Sequence, residues 1–412
     1  MSPRQTDEGG LLQEIDCREK RVAASLEDLP RPEAAATGTR VAILLNGNLN
    51  HDHDIEATLG ALKARLDRLS RVIVVAYNPY FRAVFVLANA LGLRTGDLPT
   101  TFLTRGSFDA LAKLSGYEVV QVKPVGYCPF ELLGLGNAVN RVMPAIPFFR
   151  WFGVAALVIL RPVYASHPPP SLSIVIPCRN ERGNIEAALQ RLPAMAGPVE
   201  VIFVEGHSTD GTWEEVQRVI AKYGDRFTLC ACQQTGKGKS DAVRLGFSMA
   251  TGELLTILDA DLTMPPELLP RFYNAYCSGL GDFINGTRLV YPMEGEAMRF
   301  LNRLGNIFFA KALAFVLDAD LNDSLCGTKL MRRDDYARMV RWRGDFGDVD
   351  PFGDFELLFP ASILALGMVD VPVFYRARVY GSTNIHRFRH GLMLLRMTLI
   401  GLFRIKMGAG PR

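Results

Sequence analysis

The sequence lacks an excess of either charge: 46 lysines and arginines stand against 43 aspartates and glutamates, a formal net charge of +3. Nothing in that balance calls for nucleic acid as a partner. Paired cysteines are also missing. The seven present are scattered, an odd count without the spacing of a disulfide framework. No second Cys/His pair lies at zinc distance from Cys230 and Cys232, and the pattern fits a reducing compartment. No run reaches the eighteen or so apolar residues of a spanning helix; the longest candidate, Phe152 to Leu160, suits a buried strand. Residues 1–38 are polar, with Pro30, Pro32 and a run of alanines, and lack the apolar core of a signal peptide. These absences predict a protein made and kept in the cytoplasm. What is there is 412 residues, 49% hydrophobic and 22% charged, enough for a large core in about two domains.

From residue 41, apolar strands alternate with helical stretches. VAILL (41–45), RVIVVAY (71–77), YEVVQVK (117–123) and GVAALVILRP (153–162) read as strands. DIEATLGALKARLDRL (54–69), with Asp54 near its start, and FRAVFVLANALG (81–92) read as helices, and another begins near Ser107. Such alternation predicts a mostly parallel sheet with helices on its faces. Three prolines in YASHPPPS (164–171) can neither continue a helix nor pair within a sheet, and they mark a stiff linker between domains. After it, SLSIVIPCRNERGNIEAALQRL (171–192) and PVEVIFVEGHSTDGTWEEVQRVI (198–220) each run strand, polar turn, helix. LLTILDADLTMPPELLP (254–270) carries a later strand. Three strand ends then present small, polar and acidic residues on one rim, the way a doubly wound sheet makes a nucleotide pocket.

Asp259 and Asp261 flank one alanine. In an extended segment residues two apart point to the same side, so both carboxylates leave the strand on one face at its carboxyl end. Two hard oxygen ligands with room for water suit Mg²⁺ or Mn²⁺ shared with a diphosphate. The plain alternative is a polar strand exit in which the aspartates cap the following turn.

Two resemblances organise these readings. LLNGNLNHDHDIEATL, RVIVVAYNPY, GYEVVQVKP and the closing ILRP, over about residues 41–163, resemble the second half of a class I S-adenosylmethionine-dependent methyltransferase. No glycine-rich cofactor loop precedes Val41, and the acidic residue for the cofactor's ribose is missing with it. An active methyltransferase therefore needs a separate chain for the missing half. The resemblance implies that the retained strands are neighbours in one sheet and leaves 41–45 as an open apolar edge, a pairing hazard unless covered. The expected cover is the N-terminal tail, the second domain or another subunit.

The second resemblance is denser. IVIPCRNE, FVEGHSTDGT, GKSDAVRLGF (238–247), ATGELLTILDADLTMPPE, GDFINGTRL (281–289), NDSLCGTKLMRR (322–333) and FGDFELLFPASILALG (352–367) follow one another in order. Residues 172–384 thereby resemble family 2 glycosyltransferases of the GT-A fold, close to polyprenyl-phosphate sugar synthases of the dolichol-phosphate mannose synthase type. The fold expected is α/β, a GT-A type doubly wound sheet preceded by a smaller partial Rossmann-like α/β domain. The division expected is a polar tail (1–38), the partial methyltransferase-like domain (39–163), the linker (164–171), the GT-A domain (172–385) and a basic amphipathic helix (386–412).

By this resemblance Pro177, Glu181, Glu205 and Asp241 line the nucleoside pocket, and Lys239 meets the nucleotide phosphates. For Glu181 the alternative is capping the next helix; for Lys239 it is a solvated side chain in a glycine-rich turn. Glu205 stands where an aspartate is usual and leaves guanine versus uracil open. Asp259 and Asp261 hold the divalent ion. Arg288 faces phosphate, against the alternative of a surface salt bridge, and Lys329 is structural or solvent-facing. Arg376, Arg378 and Asn384 sit in the segment that binds the acceptor, with Asn384 where a lysine is usual. A phosphate acceptor needs no general base. A hydroxyl acceptor would, and Asp354 or Glu356 is then the candidate, with helix N-terminal capping as the alternative role.

HRFRHGLMLLRMTLIGLFRIKM (386–407) is apolar but interrupted by Arg396, Arg404 and Lys406. It suits a basic helix lying at an anionic membrane surface, or a terminal helix packed on the domain. The stretch 296–317 reads as a helix of either core or surface. The readings expected are, first, a metal-dependent inverting transferase moving a sugar from a nucleotide-sugar donor to a polyprenyl phosphate, peripheral on the inner face of the plasma membrane. Second is a transferase with a hydroxyl acceptor in polysaccharide or cell-envelope synthesis; the lack of a Gln-x-x-Arg-Trp segment argues against a processive polymer synthase. Third is a non-catalytic nucleotide-sugar-binding scaffold. The oligomeric state stays open.

Overall fold

A computed structural model describes residues 19–23, 25–29, 40–93, 97–128, 130, 132–291, 300–344, 346, 353–378, 380 and 387–408. The chain forms two compact units, Met1–Tyr164 and Ala165–Arg412.

The first unit holds strands β1 (Ala42–Asn46), β2 (Arg71–Tyr77), β3 (Tyr117–Val125) and β4 (Ala155–Pro162), with helices α1 (Ile55–Lys63), α2 (Arg82–Ala90), α3 (Arg105–Leu114) and α4 (Leu135–Val142). Asp54 caps α1 by accepting the Ala57 N–H at 3.0 Å, and Thr104 caps α3 through the Ser107 N–H at 3.2 Å. The sheet order is β1-β2-β4-β3. A mostly parallel sheet was the expectation here; β1, β2 and β3 run in one direction, and β4 alone runs against them, antiparallel to both neighbours. Val125 at the end of β3 lies opposite Ala155 at the start of β4, so the intervening residues make a long hairpin excursion rather than the crossover that parallel pairing needs. β1 does stand at the sheet's end. Among the described residues no strand of the N-terminal tail covers its outer side; instead Leu26 and Leu29 pack on the unit's core by side chain, and Arg65 Nη1 donates to the Glu27 carbonyl at 3.0 Å.

The second unit is built on β5 (Leu172–Cys178), β6 (Val199–Glu205), β7 (Thr228–Gln233), β8 (Leu254–Ile257), β9 (Phe283–Thr287), β10 (Lys329–Arg332) and β11 (Met368–Pro372). Its helices are α5 (Arg182–Gln190), α6 (Thr212–Tyr223), α7 (Lys239–Met249), α8 (Leu269–Cys277), α9 (Phe300–Leu317), α10 (Arg333–Met339), α11 (Phe355–Ile363) and α12 (Arg387–Gly401). The order β11-β9-β10-β8-β5-β6-β7 is parallel except for β10, which runs antiparallel to both neighbours. This is the α/β architecture expected, with a doubly wound sheet.

Burial on both faces explains why β5 and β6 are mostly apolar. Ile174, Ile176, Val201 and Phe203 enter one core with α5, α6 and α8. Val175, Ile202 and Val204 enter the other with α7, α9, α11 and α12. The chain winds from β5 through β6 to β7 on one side, then returns to place β8 on the other side of β5. That reversal is the switch point where open α/β sheets bind ligands.

The C-terminal helix packs on the domain by one face and leaves another exposed. Leu394 and Met397 are buried in the core with α9, while Leu392, Leu395, Arg396 and Leu399 are exposed. Lys406 is not part of a basic surface: it is buried and paired with Asp318.

Gly246 sets how closely α7 approaches the sheet, because an added Cβ would overlap Val175 Cγ1 and lie 3.1 Å from Val204 Cγ2. Both neighbours are fully buried β-branched side chains with little freedom to yield. Gly246→Ala is expected to destabilise the second unit by about 1–3 kcal/mol, read as a lower urea midpoint; an unchanged midpoint would show that α7 can shift.

Candidate functional site

The site lies where β5, β6 and β8 end side by side, with Cys178 opposite Glu205 and Val175 opposite Ile257. The loops leaving β5 and β6 are laced together. The Asn180 N–H donates to Ser208 Oγ at 2.9 Å, the Thr209 N–H to Asn180 Oδ1 at 2.9 Å, the Arg182 N–H to Asp210 Oδ2 at 3.2 Å and the Glu181 N–H to Thr212 Oγ1 at 3.0 Å. Asn180 and His207 both adopt left-handed backbone, φ 55° and 58°. The lacing holds these residues in that sparsely allowed region. The result is a polar shelf braced by its own hydrogen bonds.

Glu205, 1% exposed, ends β6 beneath this shelf. Its carboxylate accepts the Ser208 N–H and, at 3.0 Å, Gln233 Nε2. Burial raises its pKa, but the hydrogen bonds from Ser208 and Gln233 outweigh that and hold it below the usual carboxylate range. Pro177 is half-buried, one residue before the end of β5. Glu181 is buried and its side chain makes no helix cap. Instead it accepts from Asn184 Nδ2 at 2.7 Å and from Arg378 Nη1 at 3.4 Å. Burial raises its pKa against those two partners. Asp241 turns back on its own loop and accepts the Gly236 N–H at 3.1 Å.

The two aspartates after β8 do not get their shared side from strand alternation. β8 ends at Ile257, and a turn follows in which the Leu262 N–H bonds the Asp259 carbonyl at 3.1 Å. Asp261 accepts the Thr263 N–H at 3.1 Å and Thr263 Oγ1 at 2.8 Å with one oxygen, which is the turn-capping role set against metal ligation. Its other oxygen accepts Arg378 Nη2 at 2.6 Å. Asp259 pairs with Lys239, the first residue of α7. Burial raises the Asp259 pKa; Lys239, with Lys329 and Arg288 further off, more than compensates and lowers it. Burial lowers that of Lys239, and Asp259, Asp354 and Asp261 more than compensate and raise it. Lys239 thus begins α7 as the partner of Asp259, with 32% of its side chain exposed.

Arg378 arrives from the segment after β11. The Val373 N–H bonds the Thr287 carbonyl and the Arg376 N–H the Thr263 carbonyl, both at 2.9 Å. Tyr380 Oη continues along the rim to Asp210 at 3.3 Å. Asn384 lies outside the described residues.

The remaining candidates are held in ion pairs. Arg288 sits in a buried bidentate pair with Asp323, Nε to Oδ2 at 2.7 Å and Nη2 to Oδ1 at 2.9 Å; its guanidinium lies 5.2 Å from the Tyr375 ring centroid. The pair is not a surface salt bridge, since Arg288 keeps 11% of its side chain exposed and Asp323 1%. Lys329 is fully buried, not solvent-facing, and pairs with Asp354. Asp354 stands at the start of α11 without a side-chain cap bond, because its carboxylate serves Lys329 instead. Glu356 accepts from Arg244, Nη2 to Oε2 at 2.7 Å, and from Arg343. Neither candidate base carries an idle carboxylate.

Sequence reading missed the partners: Asp323, Arg244, Arg343 and the Asn180–Ser208–Asp210 lacing. It also passed over Gly327, where a Cβ would overlap the Asp259 carboxylate and the Lys239 ammonium. The signal was a lone glycine between Cys326 and Thr328.

Among the described residues no group of three His, Cys, Asp or Glu side chains is arranged to hold a metal. Asp259 and Asp261 are two hard oxygen donors with a cation on each. That set fits Mg²⁺ or Mn²⁺, which are held by one or two carboxylates completed by substrate phosphates and water.

Residues 173–339 match the family model described as Glycosyl transferase family 2. Among curated relatives, the dolichol-phosphate mannosyltransferase of Pyrococcus furiosus is 30% identical over 223 residues, 52% of this chain and 59% of that one. The dolichyl-phosphate hexose transferase of Haloferax volcanii is 29% identical over 221 residues, 53% of this chain and 89% of that one. The chain thus spans less than two thirds of the Pyrococcus relative's length. Among solved structures, a mannosyltransferase from Pyrobaculum calidifontis in complex with GDP-Man and Mn²⁺ aligns with a TM-score of 0.40 at 19% identity, covering 65% of this chain and 74% of that one.

Glu205 and Asp354 generate distinct predictions. Because the folded pKa of Glu205 is depressed, its contribution is complete above the ordinary carboxylate range and is lost as pH falls through the folded value. Glu205→Gln is expected to cost about 1.5–3 kcal/mol near neutral pH, with the gap to wild type closing in acid; a gap independent of pH would overturn this. Asp354→Asn strands a buried lysine and is expected to cost about 3–5 kcal/mol. Adding Lys329→Met should recover part of that loss in urea unfolding, and no recovery would mean that the pair contributes nothing as a pair.

Proposed function

We propose that the unit matching glycosyl transferase family 2 over residues 173–339 is a metal-dependent inverting glycosyltransferase that moves a sugar from a nucleotide-sugar donor to a polyprenyl phosphate, on the cytoplasmic face of a membrane. The observation that carries the reading is the arrangement of Asp259 and Asp261 at the sheet's switch point, each joined to a cation that can turn to phosphate.

The laced shelf, with Pro177, Glu181, Glu205 and Asp241 at or beneath it, takes the nucleoside. Lys239 and Arg378 are held beside the position of the donor diphosphate. Both gain a stronger partner there, since a diphosphate offers more negative charge than one carboxylate and suits the planar guanidinium fork. When bound by Asp259 and Asp261, Mg²⁺ or Mn²⁺ supplies neutralisation of the charge that develops on the departing diphosphate. An acceptor oxygen bonds to the anomeric carbon from the face opposite the departing group. The bond from that carbon to the diphosphate oxygen breaks, its electron pair leaves with the nucleoside diphosphate, and the configuration inverts.

The engaged state of Asp354 and Glu356 favours phosphate over hydroxyl as acceptor. A phosphate monoester is already anionic at neutral pH and needs no base, whereas a hydroxyl would need a carboxylate that these ion pairs do not leave idle. The sugar, the base and the oligomeric state stay open in this reading. The N-terminal unit is taken as a methyltransferase-like remnant, without its own catalysis.

Among the described residues no helix is long and apolar enough to cross a membrane. The reading places contact with the bilayer on the exposed outer face of α12, where Leu392, Leu395 and Leu399 accompany Arg396. Apolar insertion with arginine at the headgroups is the pattern of a helix lying in an interface.

Release of nucleoside diphosphate from a panel of nucleotide sugars tests the whole reading. It should require Mg²⁺ or Mn²⁺ and polyprenyl phosphate, and Asp261→Asn should lower it by at least roughly a hundredfold, given that even residues behind metal ligands cost 10–100-fold. Release that ignores the lipid moves the reading to a hydroxyl acceptor. Equal silence in wild type and variant leaves the scaffold reading.

A further inference from the structure

The N-terminal unit buries its sheet under α1 and α3, whose Leu59, Leu62, Phe108 and Ala112 enter its core. The other helical segments behave differently. Helix α2 buries one residue, Phe85, and exposes Val84, Leu87 and Leu91. The short helical turn Phe148–Phe152 buries none. Phe148 is 68% exposed and Trp151 65%, although Phe148, Phe149 and Phe152 contact one another at ring-centroid distances of 5.5–6.1 Å. The two regions are joined. Tyr80, just before α2, lies 6.4 Å from the Trp151 ring centroid, and Asn78 Nδ2 donates to the Trp151 carbonyl at 2.9 Å. Together they make one continuous apolar and aromatic surface, a size and kind that isolated surface residues do not explain.

Its charge identifies the partner. Residues 79–93 and 132–152 contain Arg82, Arg141 and Arg150 and no aspartate or glutamate, in a chain with 43 acidic residues among 412. Arg82 and Arg141 are exposed. A protein partner of ordinary composition would not demand the removal of every carboxylate. An anionic surface of unlimited extent does, since each carboxylate brought near it is repelled and each arginine gains about 1 kcal/mol. Tryptophan and tyrosine, with an apolar ring and a polar edge, are the side chains that settle at the headgroup level.

We infer that this face of the N-terminal unit is a docking surface for an anionic lipid bilayer, separate from the C-terminal helix. Phe148, Trp151 and the exposed side of α2 enter the interface, and Arg82 and Arg141 lie at the phosphates, while Arg150 is half-buried and donates to the Val122 carbonyl at 3.3 Å. The unit would then act as a membrane-attachment module, whatever reaction the second unit performs.

The full-length protein with vesicles tests this, using phosphatidylcholine alone or mixed with phosphatidylglycerol. With the anionic vesicles, tryptophan emission should shift to the blue and be quenched by brominated lipid, and both changes should vanish in Trp151→Phe. Neutral vesicles should give neither. Replacing Arg82 and Arg141 by glutamate should weaken binding roughly a hundredfold; these side chains lie at the surface, and unchanged circular dichroism would show that the fold is kept. The Trp151 signal should persist when Leu392, Leu395 and Leu399 are all changed to serine, and its loss there would place attachment at the C terminus and overturn the inference. Absence of a Trp151-dependent signal overturns it too. So does self-association in sedimentation that Trp151→Phe with Phe148→Ser abolishes, since the surface would then belong to a second copy of the chain.

Discussion

Pairing of five acidic groups at and beneath the rim with cations from elsewhere in the chain is the constraint on which this site depends. Asp259 takes Lys239, Asp261 and Glu181 share Arg378, Asp354 takes Lys329 and Asp323 takes Arg288. A carboxylate brought this far under the surface without a partner would protonate or pull the loop back into water. The pairs therefore decide the path of the backbone: Arg378 draws the segment after β11 across the ends of β8 and β5, and Lys239 anchors the start of α7 beside the turn after β8.

The pairs are of two kinds, and depth separates them. Lys329–Asp354 and Arg288–Asp323 are buried on nearly all sides; they brace β10, α11 and the end of β9 and leave little for a substrate to touch. Lys239–Asp259 and Arg378–Asp261 keep between 14% and 32% of their side chains exposed. Charges at that depth exchange partners at modest cost, because water and incoming anions screen and replace what is lost. The deep pairs hold the frame and the shallow ones present exchangeable charge at the switch point. A donor diphosphate with a divalent ion is the kind of ligand that could take over both halves of both shallow pairs.

Exposed apolar surface in this chain is distributed on a similar principle. α12 and the Phe148–Phe152 turn each expose large hydrophobic side chains in stretches without a carboxylate. Acidic residues are common elsewhere in the sequence, and lysine and arginine are not concentrated enough to make the whole chain basic. Solubility alone does not require that sorting. An anionic surface does.

The alternation of apolar runs with amphipathic stretches was enough to place β5, β6 and β8 and the helices after β5 and β6, because a buried parallel strand and a half-buried helix differ in period. The same local signals located the acidic turn after β8 and the proline-rich change of unit. They failed where geometry is nonlocal. That β4 would run antiparallel between β2 and β3 depends on which strand ends meet across residues 126–154, and no local pattern records that. That Asp261 would bond Thr263 and Arg378, or that Glu356 would be held by Arg244 and Arg343, depends on contacts across as many as 117 positions. Composition and period by themselves determined the class of fold and which residues carry charge near a strand end. Only tertiary structure decided which of those charges are bound to one another and which remain exchangeable, because pairing energy falls with distance and distance between remote residues is set by the packing of the whole sheet.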